Sequence, residues 1–335
     1  MASMFYGPSP AQMPSTKKVY FRGAPVQEKS VAQLLFNADQ TAVCLPYPAL
    51  TDEIARLLMD TSVQVPARSV LALPGGGSLF VMPAFDAYSA ITKLITFTPA
   101  NTGRGLATIQ GDVVVFDVST GARKLVLDGP TVTARRTAAV SLLAAQRLAP
   151  NPEGPMLIVG AGVQGRAHLE AFAEGLGVKE FVIASRSADS AQALAHHAQS
   201  LGLSARVAQD ANAALADCPL AVTCTPANGV VLGALPRQDA FISAVGAFTP
   251  DMIELGGDLC CYMAAHGGVF VDTADALHEA GDLLQAGLEV SRFATLGDVV
   301  RQNIKKPAGP VLFKSCGWAG WDLAAARTAL QSLVG

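Results

Sequence analysis

The sequence predicts an α/β protein built on a doubly wound parallel sheet, and three observations support that. Between Met156 and Val271 short apolar runs alternate with helical patterns, the order expected when crossover helices join the strands of a parallel sheet. The first of these runs, MLIV at Met156–Val159, leads straight into Gly160, Gly162 and Gly165. Upstream, from Ser69 to Asp117, the pattern changes to short apolar segments punctuated by Gly, Pro and Asn, which predicts a separate meandering sheet in a mixed α+β unit.

Taken in order, Val31 to Met59 reads as a helix, a short strand over Thr41–Leu45, and a second helix capped by Thr51 ahead of Asp52 and Glu53. Strands are predicted at Ser69–Leu73, Leu79–Met82, Ala90–Phe97 and Asp112–Asp117. A long helix begins near Thr133 and is closed by the breaker cluster Asn151–Pro155, which marks the crossing between domains. Beyond it, strands are predicted at Met156–Val159, Phe181–Ala184, Ala221–Cys224, Phe241–Val245 and Gly268–Val271, with helices over Arg166–Ala173 and Ala188–Leu201. A last strand, Val311–Lys314, and a helix led by Asp322 are expected to return to the first domain.

Composition narrows the function. At 335 residues, half of them hydrophobic and 15% charged, the chain is too apolar for disorder and long enough for two cores. A net charge of −3, without clustered Lys and Arg, gives no reason to expect nucleic acid or an anionic membrane as partner. Met1–Pro14 lacks the charged start and apolar core of a secretory signal, and no run approaches the ~20 apolar residues of a membrane helix. The six cysteines are scattered without a CxxC pair, as expected of buried free thiols in a reducing cytoplasm rather than a metal site. A small molecule is the expected partner.

Strand, glycines and helix together form G-x-G-x-x-G in its required context. Gly160 makes the tight turn, Gly162 lets backbone approach a pyrophosphate, and Gly165 lets helix and strand pack closely, with free N–H groups of the helix start meeting the negative charge. At the end of the next strand, where NAD sites usually carry a carboxylate, the residues are Ser185, Arg186 and Ser187. Arg186 suits a ribose 2′-phosphate through its planar donor fork and permanent charge, so NADPH is expected, with NADH weaker. On the substrate side the candidate cations are Arg68, Lys93, Arg135 and Arg136. Lys93 stands out because it interrupts an apolar strand, which points its ammonium toward a cleft or a dimer contact.

The segments PAR (66–68), MPA (82–84), ITKLITFTPAN (91–101), VVVFDVSTG (113–121), TARRTAAVS (133–141), GAGVQGRAHLEAF (160–172), SAVGAFTPDMIEL (243–255) and FKSCGWAGWDLAAA (313–326) resemble, in order and spacing, the ornithine cyclodeaminase and mu-crystallin family. The resemblance implies a homodimer and a Rossmann-type sheet inserted into a substrate-binding and dimerisation domain. The expected division is 1–132 with 312–335 for the latter and 133–311 for the nucleotide domain. By position, the resemblance assigns Arg68, Lys93 and Arg136 to a substrate carboxylate. It assigns Thr133, Gly162, Val163, Gln164, Ser185, Arg186, Ser187, Thr223, Thr225 and Val245 to the dinucleotide.

One departure sorts the chain within the family. Cyclodeaminases and related alanine dehydrogenases carry an acid where this chain has Phe248, and without it water or an amine lacks a base. A protonated cyclic ketimine is already electrophilic, and Phe248 can wall a flat ring. The resemblance therefore implies an NADPH-dependent ketimine reductase that converts 1-pyrroline-2-carboxylate to proline and 1-piperideine-2-carboxylate to pipecolate, and the free cysteines place it in the cytoplasm. The alternatives are a cyclodeaminase, an alanine dehydrogenase-like enzyme, or a mu-crystallin-like ligand-binding protein. Asp322 has two readings, a helix N-cap before LAAARTAL, which is preferred, and a catalytic group that orients a proton donor.

Overall fold

A computed structural model describes residues 35–226 and 228–333. Two helices come first, α1 (Ala38–Val43) and α2 (Tyr47–Met59). A five-stranded antiparallel meander follows in sequence order: β1 (Ser69–Leu73), β2 (Gly77–Phe85), β3 (Ser89–Phe97), β4 (Ile109–Asp117) and β5 (Arg123–Asp128). The long helix α3 (Gly129–Leu148) then leads into the nucleotide-type region. There the order is β6 (Met156–Val159), α4 (Val163–Leu176), β7 (Glu180–Ala184), α5 (Ala188–Ser200), β8 (Ser204–Val207), α6 (Ala211–Leu215) and β9 (Leu220–Thr223). Next come β10 (Asn228–Leu232), β11 (Phe241–Ala244), β12 (Ile253–Leu255), α7 (Gly257–His266), β13 (Gly268–Val271), α8 (Ala276–Glu279) and α9 (Gly281–Gln285). The chain closes with β14 (Ala294–Thr295), α10 (Leu296–Arg301), β15 (Val311–Lys314) and α11 (Ala319–Ser332).

The main sheet is eight-stranded and parallel, in the order β14-β13-β15-β11-β9-β6-β7-β8. Strands β6, β9, β11 and β15 are buried at every position, as expected of central strands covered on both faces. The chain runs outward from β6 to β7 and β8, then returns to β9 on the other side of β6. That reversal is a topological switch point, where open α/β sheets bind ligands beyond the carboxyl ends of their strands. Gly160 and Thr223 mark it.

Several expectations need correction. Thr41 lies in α1, because Asn37 and Gln40 form a capping box that overrides the β-branched residues suggesting a strand. Thr51 is buried within α2, whose N-cap is Pro46. Helix α3 starts at Gly129, since Asp128 accepts from the backbone of Thr131 and Pro130 suits a first turn. Strand β5 was not anticipated. The expected start of the first helix at Val31, and the N-terminal segment Met1–Pro14, lie outside the described residues. Among the cysteines, Cys261 is exposed rather than buried.

The C-terminal return begins later than expected. Strand β15 pairs with both β11 and β13, so the boundary at residue 312 falls inside a strand of the main sheet. Only α11 turns back, packing on α2, α3, β2 and β3. This places the last helix against the strand that carries Lys93.

Candidate active site

The glycine turn behaves as its spacing predicts. Gly160 has φ +115°, in the region that favours glycine, and a Cβ there would lie 2.8 Å from the Cys224 carbonyl oxygen. A Cβ on Gly165 would lie 2.0 Å from the Gly160 carbonyl oxygen, so only glycine lets α4 approach β6 this closely. Gly162 is the opposite case: nothing stands within 4 Å of its Cβ position, and as N-cap of α4 it has no side chain to occupy the free N–H groups. This open helix start fits a pyrophosphate.

Polar atoms around the turn are left for a ligand. Among the described residues the Thr133 hydroxyl and Gln164 Oε1 are buried without a partner, while Gln164 Nε2 donates to the Thr133 carbonyl at 3.5 Å. At the end of β7, Ser187 caps α5 by accepting from the backbone of Ser190, and Arg186 is exposed. Among the described residues its guanidinium has no hydrogen-bond partner. The residues present therefore fit a dinucleotide with a charged group near Arg186.

Glu254 organises the far side of this site and was not singled out from the sequence. Its buried carboxylate accepts five hydrogen bonds, from the Thr223 hydroxyl, the Thr225 backbone and hydroxyl, and the Gly246 and Ala247 backbones. It thereby fixes the carboxyl ends of β9 and β11 and the loops that follow them, which carry Thr223, Thr225 and Val245. A Cβ on Gly246 would lie 2.1 Å from the Thr225 carbonyl oxygen, so the two loops touch at a glycine. Asp282 in turn accepts from the backbones of Glu254 and Leu255, and pairs at 2.7 Å with the fully buried Lys314 at the end of β15. The sequence signal was available: Glu254 and Lys314 are charges in apolar strands, like Lys93.

A neutral histidine ties the two regions together. His168 on α4 donates through Nδ1 to the Gln164 carbonyl and accepts at Nε2 from the Ser141 hydroxyl of α3, at 2.8 and 2.9 Å. Ser141 then meets the Ser243 hydroxyl of β11 at 2.8 Å. Burial lowers the imidazole pKa to about 4, so it holds this tautomer at neutral pH.

The expected substrate residues come together in part. Lys93, only 1% exposed, faces Asp322 at 2.8 Å, and Arg136 faces the other oxygen of Asp322 at 3.3 Å. Neither carboxylate oxygen makes an aligned hydrogen bond among the described residues. Asp322 is therefore not a helix cap. Helix α11 begins at Ala319 after Trp318, and Asp322 lies inside its first turn, buried against two cations from β3 and α3. Burial lowers the Lys93 pKa to about 8, with Asp322 opposing the shift and Arg136 adding to it.

Gly317, with φ +94°, lies with its Cβ position 3.5 Å from the Arg136 guanidinium. Asp272, at the end of β13, holds that loop by accepting from the Ser315 hydroxyl and the Cys316 and Gly317 backbones. Arg68 is not in direct contact with the cluster. Its guanidinium donates instead to Glu279 at the end of α8. Phe248 lies on the loop after β11 and is 38% exposed. Among the described residues no three His, Cys, Asp or Glu side chains converge as a metal site.

Comparison with known proteins agrees with this architecture. Residues 47–335 match the model of the ornithine cyclodeaminase/mu-crystallin family. The chain is 38% identical over 305 residues to the Delta(1)-pyrroline-2-carboxylate/Delta(1)-piperideine-2-carboxylate reductase of Azospirillum brasilense, covering 90% of this chain and 96% of the relative. It is 36% identical over 281 residues to the ketimine reductase mu-crystallin of Rattus norvegicus, covering 82% and 86% of the two chains. The fold matches that of the Delta(1)-pyrroline-2-carboxylate reductase from Thermococcus litoralis solved with NADH and L-proline, with TM-score 0.82, 23% identity and coverage of 90% and 97%. The match over residues 47–335, with 38% identity to a relative across nine-tenths of the chain, shows that the chain belongs to the ornithine cyclodeaminase/mu-crystallin family.

Proposed function

We propose that this chain reduces small cyclic ketimines bearing a 2-carboxylate, 1-pyrroline-2-carboxylate and 1-piperideine-2-carboxylate, using NADPH in preference to NADH. The observation that carries the reading is charge. Two buried cations, Lys93 and Arg136, face one buried anion, Asp322, which leaves a single positive charge uncompensated among the described residues. Buried charge of this kind is costly unless something pairs with it. One substrate carboxylate supplies that partner.

A bound dihydronicotinamide supplies the hydride for the C=N carbon. Gly160, Gly162, Val163, Gln164 and Gly165 would hold the pyrophosphate, and Ser185, Arg186 and Ser187 the 2′-phosphate. Thr133, Thr223, Thr225 and Val245 would line the nicotinamide end. Arg136 binds the substrate carboxylate and sets the ring's orientation, with Arg68 as a further cation. Lys93, still largely charged at pH 7, donates a proton toward the ring nitrogen as it becomes an amine, and Asp322 keeps the ammonium aimed. Phe248 offers an apolar wall and no base for water. The protein works in the cytoplasm as a homodimer, for which the exposed Leu71 and Leu94, on one face of the antiparallel sheet, offer apolar surface.

The experiment is an absorbance assay. NADPH consumption is expected with either ketimine carboxylate, with very poor turnover of 1-pyrroline, which lacks the carboxylate, and negligible ammonia release from ornithine. Efficient reduction of 1-pyrroline, or ammonia release at a comparable rate, would overturn the proposal. For the cofactor, Arg186→Ala removes charge-assisted hydrogen bonds of about 1.5–3 kcal/mol, so NADPH binding weakens by one to two orders of magnitude on that scale while NADH barely changes. Equal losses for both cofactors would move Arg186 away from the 2′-phosphate.

A further inference from the structure

Arg68 and Glu279 are far apart in sequence and belong to different layers. Arg68 stands just before β1, and Glu279 ends α8, beyond the carboxyl end of β13. The Arg68 guanidinium donates to Glu279 Oε1, and both side chains are partly buried. The second oxygen, Oε2, is buried with no hydrogen-bond partner among the described residues. Asp272 and Asp275 press on Glu279 with like charge, and the thiol of Cys316 shares the same surroundings. Arg68 is close enough to Lys93 for its charge to act there. In the free protein, then, a carboxylate of the chain itself occupies the third cation near the proposed substrate position.

We propose that Glu279 is a stand-in for the substrate: it occupies Arg68 in the free protein, the incoming carboxylate displaces it, and Glu279 takes up a proton as it is released. The inference rests on the proposed binding of the substrate carboxylate by Arg68, Lys93 and Arg136. Its balance is simple. The contact between Arg68 and Glu279 breaks, a contact between Arg68 and the substrate carboxylate forms, one proton passes from solvent to Glu279, and no electrons move.

The surroundings of Glu279 favour that proton. Burial, followed by the charges of Asp272 and Asp275, pushes its carboxyl up to about 7, and Arg68 is the group that pulls it down. Once Arg68 turns to another anion, the raising influences are left with little opposition. A neutral Glu279 neither competes for Arg68 nor repels the anionic substrate. The device thus keeps two unpaired charges from coexisting at the site in either state, which lowers the cost of an empty site lined with cations.

Calorimetry with pyrrole-2-carboxylate tests this. That flat ring carries the 2-carboxylate but is not a ketimine, so it binds without turnover to the NADPH-loaded protein. Titrations at pH 7 in two buffers of different ionisation enthalpy give the number of protons exchanged. Lys93, titrating near 8, is already mostly charged at that pH and adds little. Wild type should take up about half a proton, the share expected of a carboxyl titrating near 7 whose pKa then rises. Glu279→Gln should lose most of that uptake and bind the analogue about fivefold more tightly, as removal of a competing, partly exposed ion pair implies. Glu279→Ala should repeat both effects, and unchanged NADPH affinity in either variant checks the fold.

Arg68→Ala separates the two ideas. Weaker analogue binding in Arg68→Ala, with undiminished proton uptake or unchanged affinity in both Glu279 variants, would overturn the stand-in role and leave the proposed function intact. If Arg68→Ala leaves analogue affinity unchanged, the assignment of Arg68 to the carboxylate falls, and the stand-in role falls with it.

Discussion

Asp322→Asn should lower stability by about 3–5 kcal/mol, the range for removing one partner of a buried ion pair. In domains of this size that corresponds to a fall in melting temperature on the order of 10 °C. The reason is local: Lys93 and Arg136 would be left buried with no anion between them. The loss should also depend on pH. Lys93 has a folded pKa of about 8 against an ordinary value of 10.5, so the unfolded chain binds the proton more tightly and stability rises with pH through that interval. Without Asp322 the folded pKa drops further, and the deficit relative to wild type should shrink once both proteins hold a neutral Lys93. Denaturant unfolding at pH 7 and pH 9 measures this. Equal deficits at the two pH values would show that Asp322 acts through packing rather than charge.

The second large effect concerns Lys93 itself. Lys93→Met keeps an unbranched apolar stem but removes the proton donor, so kcat should fall by roughly 10²–10⁴, the usual range for general acid catalysis. NADPH affinity should not change, because Lys93 stands on β3, apart from the glycine turn. The wild-type pH profile should carry the same signature. As pH rises through about 8 the ammonium is lost, and with it both a carboxylate contact and the proton, so kcat/KM should decline on the alkaline side. Lys93→Arg keeps the charge and does not titrate in this range, so its alkaline limb should move up by more than a unit even though its rate is low. An alkaline limb near 8 that persists in Lys93→Arg would assign the titration to another group.

Much of this was legible in the sequence wherever structure is written locally. The parallel strands could be read because central strands are continuously apolar, and the glycine turn because three positions require glycine at fixed spacing. Lys93 was visible as a charge breaking an apolar run. Asp322 was misread because its local signal, a carboxylate before LAAARTAL, is also that of a helix cap. The Gly-Trp-Ala-Gly stretch before it concealed a helix start three residues earlier. The pairing of Arg68 with Glu279 was out of reach for another reason. Each is an ordinary surface-type residue in its own segment, and only folding brings them together. Glu254 and Lys314 lie between these cases, since the rule that exposed Lys93 applies to both strands and would have marked them.

The placement of β15 and α11 also governs how the protein can be made. Strand β15 is among the last elements of the chain, yet it sits between β11 and β13 inside the main sheet rather than at an edge. A ribosome must therefore deliver the chain as far as Lys314 before that sheet can close, and until then β11 and β13 lack the neighbour that joins them. Because the helix bearing Asp322 follows, Lys93 and Arg136 gain their counter-charge only after β15 has been made. A nascent chain halted before Lys314 should therefore remain a client of chaperones, open at the centre of its sheet and with two cations that oppose burial. Closure of the main sheet and pairing of Lys93 and Arg136 with Asp322 thus fall together, after β15.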